Sequence, residues 1–425
     1  MTEQLKLKLN DSKATRWGAL VIVAFTMMAA YYVNDVVAPL KTMLETDLAW
    51  SSTDFGFFTG GYSFLNVFFL MLIWGGLILD RFGIRFTGKL ATILMVGGTA
   101  LEYYAMTGLA GADATLFGIN EIFGYKTGVF VAFAGYSIFG VGAEVAGITV
   151  SKIIAKWFKG KELATAMGVQ VALARIGSQA GYAVAIPLAR AFGISTPVLL
   201  GLVLLLGGMI AFFIFAVMDK KLDKQMEAAA IAAGTEDEEE KFSFKDVKNI
   251  LVNPGFWLIA LLCVLFYSCV FPFQKFASEL MIIKYGINEN VAGTFAGLPA
   301  LGALILTPVF GGFIDKRGKS ASIMLLGSAM LICVHFIYAI PDINYWLVAI
   351  VLMIILGIAF SLVPSAMWPA VAKIFPVSQL GTAYALIFFI QNIGLWGIPT
   401  LIGWVLDAYC ISGKKPDGTN MYDYT

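Results

Sequence analysis

A short charged stretch bounded by glycines occurs twice in this sequence, and its repetition decides the fold. Residues 76–85 read GLILDRFGIR and residues 311–319 read GGFIDKRGK, so both copies contain Gly-x-x-x-Asp, a basic residue, one further residue and a second glycine. Each copy follows a long apolar run. Glycine permits a tight turn and a close approach between helices, whereas the charged residues favour water. The pattern therefore indicates the same connection between helices in two related halves of one chain.

The repeat extends beyond this stretch, because two later apolar runs align with each other at a constant offset. The matching pairs are Phe158 and Phe375, Leu163 and Leu380, Thr165 and Thr382, Ala166 and Ala383, Ile176 and Ile393, and Gly177 and Gly394. Polar positions differ within this shared frame, since Arg175 corresponds to Asn392 and Gln170 corresponds to Ile387. We interpret the shared frame as structural and the polar differences as functional.

The composition places the chain in a lipid bilayer. Of its 425 residues, 59% are hydrophobic and 13% are charged, whereas soluble domains contain about 25% charged residues. A bilayer accepts apolar side chains on every outward face, and about 20 apolar residues form one helical span. The chain therefore has room for roughly ten to twelve spans and for no sizeable soluble domain. Its net charge of +1 argues against a nucleic-acid partner.

Long apolar runs predict eleven membrane-spanning helices. They lie at about 17–40, 55–79, 87–108, 127–150, 163–190, 194–218, 255–283, 291–314, 320–340, 344–372 and 380–406. Two matched halves would give six spans each, so the chain lacks a twelfth span. We therefore expect it to be a truncated form of a longer protein.

A polar segment divides the spans into two groups. Residues 219–250 contain the acidic run 236–240 and follow the sixth apolar run, which predicts a solvated cytoplasmic linker. Residues 1–218 then form an N-terminal bundle of spans one to six. Residues 251–425 form a C-terminal bundle of spans seven to eleven with an external tail. Basic residues favour the linker side about three to one, which predicts a cytoplasmic N-terminus.

The duplicated stretch resembles the signature of the major facilitator superfamily, and two multi-span halves with a long linker are typical of transporters. The resemblance implies an all-α membrane protein with two pseudo-symmetric six-helix halves and a missing twelfth helix. In that superfamily the aspartate contacts the partially positive N-terminus of a neighbouring helix and latches the halves on the cytoplasmic side. A basic turn that only sets topology is the alternative. The residues expected to form this conformational gate are Gly76, Asp80, Arg81, Gly83, Arg85, Asp315 and Lys316.

Arg175 and Glu144 are the strongest candidates for a central binding site, because a charge inside a bilayer costs at least about 2.5–3.5 kcal/mol. At 1.5 Å per residue, Arg175 lies about 21 Å from Lys161 and Glu144 about 12 Å from Lys152. Their spans are consecutive and antiparallel, so the side chains can meet across one cavity. They neutralise each other in an empty site, bind opposite ends of a zwitterion, or form a purely structural ion pair.

Other polar residues within apolar runs are weaker candidates. Three roles stay open for Asp35: it contacts substrate, it carries a proton, or it is a solvated carboxylate at the external end of the first span. Lys275 and Glu279 can pair along one helix face at i and i+4, which makes them a candidate external gate. Glu102 and His335 lie in the third and ninth spans, which are peripheral in the superfamily, so we expect structural roles for them.

Longer motifs carry a closer resemblance. GVGAE at 140–144, WFKGKEL at 157–163, ARIGS at 174–178, WPAVA at 368–372, QLGTAY at 379–384 and QNIG at 391–394 together resemble the family of major facilitator superfamily domain-containing protein 1. That family transports dipeptides, so the resemblance implies that Glu144 and Arg175 hold the amino and carboxy termini of a peptide. Aromatic rings can also accept an ammonium group. The expected substrate-binding set is completed by Asp35, Tyr136, Trp368, Tyr384 and Asn392.

The chain departs from this family in its expected location. The acidic dileucine sorting signal of lysosomal members is not evident in the N-terminal tail. We therefore expect a multi-pass protein of a prokaryotic cytoplasmic membrane. Coupling to protons stays open, and the sequence indicates nothing about an accessory subunit.

Two other functions remain open: a carrier of organic anions or sugars in the same superfamily, and a non-transporting membrane receptor. A carrier of anions would need a second buried cation besides Arg175, and Lys275 is the remaining candidate. An enzyme is not expected, because the sequence contains one histidine and no nucleophile with a base. No cofactor or metal is expected either. None of the 4 cysteines has the spacing of a metal site or a disulfide. They are Cys263, Cys269, Cys333 and Cys410.

Overall fold

The protein is built almost entirely from helices. A computed structural model describes residues 8–111, 114–233, 244–375, 377–416 and 418–424, and the acidic run 236–240 lies outside them. The helices of the N-terminal half are α1 (Lys13–Val36), α2 (Lys41–Leu48), α3 (Ser52–Phe68), α4 (Met71–Thr107), α5 (Thr127–Trp157), α6 (Leu163–Phe192) and α7 (Thr196–Ala233). Those of the C-terminal half are α8 (Phe244–Val252), α9 (Pro254–Ile283), α10 (Glu289–Ala296), α11 (Leu298–Arg317), α12 (Ser320–Tyr338), α13 (Trp346–Ile374) and α14 (Val377–Tyr409).

The helices coincide with the apolar runs of the sequence. Within the described residues, eight helical segments are each long and apolar enough to cross a bilayer, and the bent pair of α3 and α4 raises this number to nine. The predicted fifth span corresponds to α6, and the predicted third span corresponds to the part of α4 after Gly83. The predicted all-α membrane architecture is confirmed.

The two copies of the duplicated stretch form equivalent turns. Gly83 has φ 74° and ψ 174° and interrupts α4, so that the second span ends there and the third begins. Gly318 has φ 65° and follows the last residue of α11, directly before α12. These positive φ values strain any residue with a Cβ atom, which explains why glycine occupies the same position in both copies.

The predicted second span is broken at Phe69 and Leu70. Helix α3 ends at Phe68, α4 begins at Met71, and the two helices are bent by 58° relative to each other. Leu70 adopts a left-handed conformation with φ 54°, which is unfavourable for a residue with a branched side chain. The part of the span before Leu70 is therefore a separate helical segment from the part after it.

Glycines in matched positions bring equivalent helices together in the two halves. A Cβ atom on Gly177 of α6 would overlap the backbone carbonyl of Met28 in α1. A Cβ atom on Gly394 of α14 would overlap the side chain of Ser268 in α9. Close approach through small residues is the usual way in which membrane helices gain van der Waals contact. The offset found in the sequence therefore corresponds to a repeated packing of the fifth and eleventh spans.

Helices α3 and α6 of the N-terminal half make the largest contacts with the C-terminal half. Helix α3 packs against α14, where Gly56 meets the backbone of Pro399, and α6 packs against α10 and α11, where Gly293 meets the backbone of Tyr182. Each half has its own large apolar core. Tyr422 of the external tail packs with the N-terminal core, so the tail crosses between the halves.

Two short antiparallel hairpins lie outside the helices. Strands β1 (Glu121–Ile122) and β2 (Tyr125–Lys126) form one between α4 and α5. Strands β3 (Ile411–Lys414) and β4 (Asn420–Tyr422) form the other after α14. Both lie on the side of the protein that the basic residues predict to be external.

The packing at Gly177 leads to a testable expectation. Gly177→Ala forces α6 away from the Met28 carbonyl, and overpacking of this kind costs about 1–3 kcal/mol. Gly168→Ala is the matched control, because Gly168 lies on the same helix with open space around it. Alanine is the better helix former by about 1 kcal/mol. Thermal unfolding of the purified protein should show a lower midpoint for Gly177→Ala and an unchanged or higher one for Gly168→Ala. Equal midpoints would contradict the close approach.

Candidate functional site

Arg175 lies where the two halves face each other. It is half-buried on α6, and its guanidinium lies 5.6 Å from the ring centre of Tyr31 in α1 and 5.0 Å from that of Phe360 in α13. Both rings can stabilise the cation through their negative faces. Arg175 therefore belongs to the N-terminal half but contacts the C-terminal half.

Glu144 is held by a tyrosine hydroxyl. It is half-buried on α5, and its Oε1 atom accepts a hydrogen bond of 3.0 Å from the hydroxyl of Tyr62 on α3. A Cβ atom on Gly140 would overlap the backbone of Tyr62, so α3 and α5 are in close contact one turn before Glu144. This packing places the tyrosine beside the carboxylate.

Arg175 and Glu144 share one region without forming a direct ion pair. Arg175 lies over the ring of Tyr31 on α1, and Glu144 accepts its hydrogen bond from Tyr62 on α3. However, both side chains are described by the structure, and no contact of 4 Å or less joins them. The sequence allowed for mutual neutralisation in an empty site, whereas here the arginine is met by aromatic rings and the glutamate by a phenol. Each charge is thus available to an incoming group of opposite sign.

Aromatic side chains of the C-terminal half form the facing wall. Trp368 on α13 is half-buried and donates a hydrogen bond of 3.3 Å to the hydroxyl of Tyr267 on α9. Tyr384 on α14 donates a hydrogen bond of 3.1 Å to the Trp368 carbonyl, and the ring of Phe388 lies 4.9 Å from the indole. Trp368 and Tyr384, two of the expected binding residues, therefore lie together.

Asn392, the counterpart of Arg175 in the repeat, is almost fully buried on α14. Its Nδ2 atom donates a hydrogen bond of 2.9 Å to the Phe388 carbonyl, and its Oδ1 atom has no hydrogen-bond partner among the described residues. A buried acceptor without a partner is costly. Asn392 lies on the same helix as Tyr384 and Phe388 of the aromatic wall.

Asp35 and Tyr136 lie in a polar network with Lys275, and the Tyr136 ring lies 5.8 Å from that of Tyr62, the partner of Glu144. The Lys275 Nζ atom lies 3.2 Å from Asp35 Oδ1 and 3.3 Å from the Tyr136 hydroxyl, and it also donates to the carbonyl of Asn34. The Tyr136 hydroxyl donates a hydrogen bond of 2.8 Å to the same carbonyl. These contacts join α1 and α5 of one half to α9 of the other.

Lys275 and Glu279 do not pair with each other along α9. Lys275 pairs with Asp35, and Glu279 pairs with Lys41 of the N-terminal half at 2.7 Å. The local spacing permitted an i to i+4 pair, but each residue finds an opposite charge across the boundary between the halves. Both residues join the halves near their external ends, so their role as an external gate stays a prediction.

Further contacts between the halves lie near the external ends of the helices. Asp407 of α14 accepts backbone hydrogen bonds from Ser52 at 3.2 Å and Thr53 at 2.6 Å, which are the first residues of α3. Arg190 at the external end of α6 donates a hydrogen bond of 2.8 Å to Asn290 of α10. The external sides of the halves are thus held together by charged and polar groups.

The residues of the N-terminal half that were expected to form a cytoplasmic gate make contacts within that half. Asp80 is largely exposed and forms an ion pair of 3.0 Å with Lys152 of α5, so here its partner is a lysine and not a helix N-terminus. Arg85 forms an ion pair of 2.6 Å with Asp223 of α7. Arg81 stacks on the neighbouring Phe82 ring.

In the second copy Lys316 is exposed, and the side chain of Asp315 lies outside the described residues. Gly76 has open space around it.

A buried aspartate organises this cytoplasmic region. Asp219 of α7 is fully buried and accepts hydrogen bonds from Lys156 Nζ at 2.7 Å and Trp157 Nε1 at 2.9 Å. Lys156 also contacts Asp223. Together with Arg85, these residues tie α7 to α4 and α5. The sequence offered no signal for this cluster, because Asp219 follows an apolar run and reads as the start of a polar linker.

The N-terminal segment clamps the cytoplasmic end of α6. Arg16 donates a hydrogen bond of 2.9 Å to Glu162, which lowers the pKa of that carboxyl. The hydrogen bond from Lys161 lowers the pKa of Asp11 in the same way. A carboxyl with a lowered pKa stabilises the fold at neutral pH and loses this contribution as acid protonates it. The clamp fixes the helix that carries Arg175.

The family of this chain follows from a match to the sequence model of the Major Facilitator Superfamily over residues 20–397. The chain belongs to the Major Facilitator Superfamily. Among similar proteins is the human lysosomal dipeptide transporter MFSD1, which is 29% identical over 409 residues, covering 93% of this superfamily member and 81% of the relative. The MFSD1 protein of Gallus gallus is 33% identical over 287 residues, covering 64% and 62%. The predicted resemblance to MFSD1 is confirmed.

Solved structures of superfamily transporters share the fold. A mutant of the nucleoside transporter NupG has a TM-score of 0.68 at 12% identity, covering 94% of this chain and 93% of that one. A bacterial homologue of the human lysosomal transporter Spinster, inward-facing and unoccupied, has a TM-score of 0.66 at 16% identity, covering 94% and 84%. The family and its neighbours are transporters.

The cytoplasmic cluster yields a prediction about stability. Asp219→Ala leaves the half-buried Lys156 without its buried partner, and breaking a buried pair costs about 3–5 kcal/mol. Asp223→Ala is the matched control, since Asp223 binds the same cations from a side chain that is 41% exposed. Thermal unfolding should show a much larger loss for Asp219→Ala. A larger loss for Asp223→Ala would contradict the role of the buried carboxylate.

Proposed function

We propose that this transporter carries dipeptides or small peptides by alternating access, with Arg175 binding the peptide carboxylate and Glu144 binding its ammonium group. The observation that carries the proposal is the placement of these two opposite charges in one half-buried region without a direct ion pair. A zwitterion supplies one partner for each. The termini are the charges that all dipeptides share, so a site built on them accepts many side chains.

The aromatic wall of the C-terminal half supports the same proposal. A peptide held at both ends by the N-terminal half presents its side chains to Trp368 and Tyr384. Aromatic rings contact apolar groups and accept cations on their faces, so they discriminate weakly among side chains. Phe360, which contacts Arg175, would lie beside the carboxylate end. Asn392 offers its unpartnered Oδ1 atom as an acceptor.

The relatives support the substrate class, and the bundle contacts support the mechanism. The similar human and chicken proteins are named lysosomal dipeptide transporters. Asp35, Tyr136 and Lys275 bridge the halves at their external ends, so we assign them to closure of the external side. We place the N-terminus in the cytoplasm from the basic residues, and a prokaryotic cytoplasmic membrane remains our expectation for the location.

A carrier of organic anions is the weaker candidate. Such a carrier needs more than one cation that faces the substrate, and Lys275 is paired with Asp35. Of the two candidate cations from the sequence, Arg175 and Lys275, only Arg175 therefore remains to bind an anionic group.

Uptake of labelled dialanine into proteoliposomes tests the assignment. Arg175→Gln and Glu144→Gln should each lower uptake roughly tenfold or more at subsaturating peptide, because a hydrogen bond to a charged group contributes about 1.5–3 kcal/mol. Glu121→Gln, which removes an exposed external carboxylate, should leave uptake unchanged.

Blocked peptides assign each end of the substrate to one residue. N-acetyl-dialanine should compete poorly with dialanine in the wild type and should lose this disadvantage in Glu144→Gln. Dialanine amide should behave in the same way in Arg175→Gln. Normal uptake by both variants would refute the site, and transport of malate or glucose without transport of peptide would refute the substrate class.

A further inference from the structure

Three charged side chains are buried together where the halves meet on the external side. Lys41 of α2 lies 2.5 Å from Glu45 on the same helix and 2.7 Å from Glu279 of α9. The side chains of Lys41, Glu45 and Glu279 are 1%, 4% and 1% exposed, respectively. We call these three residues the external triad. Its lysine and one glutamate belong to the N-terminal half, and its second glutamate belongs to the C-terminal half.

The external tail covers the triad. The hydroxyl of Tyr424 donates a hydrogen bond to Glu279, and the ring of Tyr422 lies 4.8 Å from the Lys41 ammonium. Ser52 donates a hydrogen bond of 3.2 Å to the Oε1 atom of Glu45. The other carboxylate oxygen of Glu45, Oε2, is buried without a hydrogen-bond partner among the described residues. Among the residues that the structure describes, no protein donor reaches this oxygen of the triad.

The neighbouring ionisable groups leave the charge of the triad uncompensated. Asp407 is an additional carboxylate, and it is occupied by the backbone of Ser52 and Thr53 and by the Tyr422 hydroxyl at 2.5 Å. Lys275, one turn before Glu279, is paired with Asp35. Within the triad, two ionised carboxylates would face a single ammonium. One excess negative charge would then be buried, and like charges at close range disfavour ionisation of both groups.

We propose that the external triad is a proton-binding site, in which Glu45 and Glu279 share one proton around Lys41 while the external side is closed. One proton makes the triad neutral. The unpartnered Oε2 atom of Glu45 is the position for it, because a neutral hydroxyl loses less by burial than an ionised oxygen.

The site couples protonation to opening of the external side, and this step rests on the alternating access of the proposed function. Opening separates α2 from α9, admits water to both carboxylates and lets the proton leave. The closed state therefore binds one proton more than the open state. By linkage, acid favours closure, and the ratio of closed to open protein falls up to about tenfold for each pH unit above the transition.

Distance measurements between the external loops test this coupling without any substrate. Spin labels replace the exposed Asn120 of one half and the exposed Asn344 of the other in the full-length protein, with the native cysteines replaced by serine. Double electron–electron resonance in lipid nanodiscs then follows the distance from about pH 5 to about pH 9. The wild type should shift toward the longer distance as pH rises. Glu45→Gln and Glu279→Gln should show little shift, because a neutral amide replaces the protonated acid.

Two further variants keep the result decisive. Asp47→Asn neutralises an exposed carboxylate on the same helix as Glu45 and should leave the pH response as in the wild type. Asp35→Asn tests the neighbouring pair with Lys275. A pH response that persists in Glu45→Gln and Glu279→Gln, or that Asp35→Asn alone abolishes, would overturn the proposal. So would a wild type without a pH response.

These outcomes are independent of the substrate. A pH-dependent distance in a protein that fails to transport dialanine would refute the peptide site and leave the proton site intact. Transport of dialanine by a protein whose spin-label distance does not depend on pH would refute the proton site and leave the peptide site intact.

Discussion

The close approach of α6 to α1 at Gly177 is the constraint on which the central site depends. A side chain at this position would push against the backbone of Met28. Arg175 lies two residues earlier on α6, so the depth and rotation of this contact determine where its guanidinium points. The same arrangement recurs at Gly394 in the other half, two residues after Asn392. A close glycine contact therefore positions Arg175 in one half and Asn392 in the other.

The charged contacts have different partners at the two ends of the molecule. Near the external ends, buried ion pairs such as Lys41 with Glu279 cross from one half to the other. At the cytoplasmic end, Asp80 and Asp219 bind lysines of their own half. Buried pairs contribute little net stability, because desolvation offsets their attraction. Here these pairs fix which helix surfaces lie against each other.

Much of the architecture could be predicted from the sequence because it depends on local patterns. Apolar runs predicted the helices, although eleven spans were expected and eight to nine of the described helical segments are apolar enough to cross a bilayer. The duplicated stretch predicted the equivalent turns at Gly83 and Gly318. The partners of the charged residues could not be predicted in this way. Lys275 and Glu279 have a local pairing available, yet each binds a residue more than two hundred positions away.

The residues of the proposed central site differ in how clearly the sequence marks them. Arg175 and Glu144 stand out because charges are rare within apolar runs. Phe360 and Tyr267 gave no signal, because 14% of the residues are aromatic and most rings only fill space. Glu45 lies in a short helix of mixed polarity, where a carboxylate reads as solvated. Its burial depends on Ser52 and on Tyr422 of the tail, far along the chain.

The break in the second span has a mechanical consequence. Helix α3 contacts α14 of the opposite half at Gly56 and Gly60, whereas the start of α4 contacts Val145 of its own half at Gly75. The span therefore consists of two short rods joined at Leu70, of which the first contacts both halves, through α14 and α5, and the second contacts its own half. Rotation about the N–Cα bond of Leu70 keeps the hydrogen bonds that its carbonyl accepts from Ile73 and Trp74, and it keeps the one that Phe69 donates to Leu65.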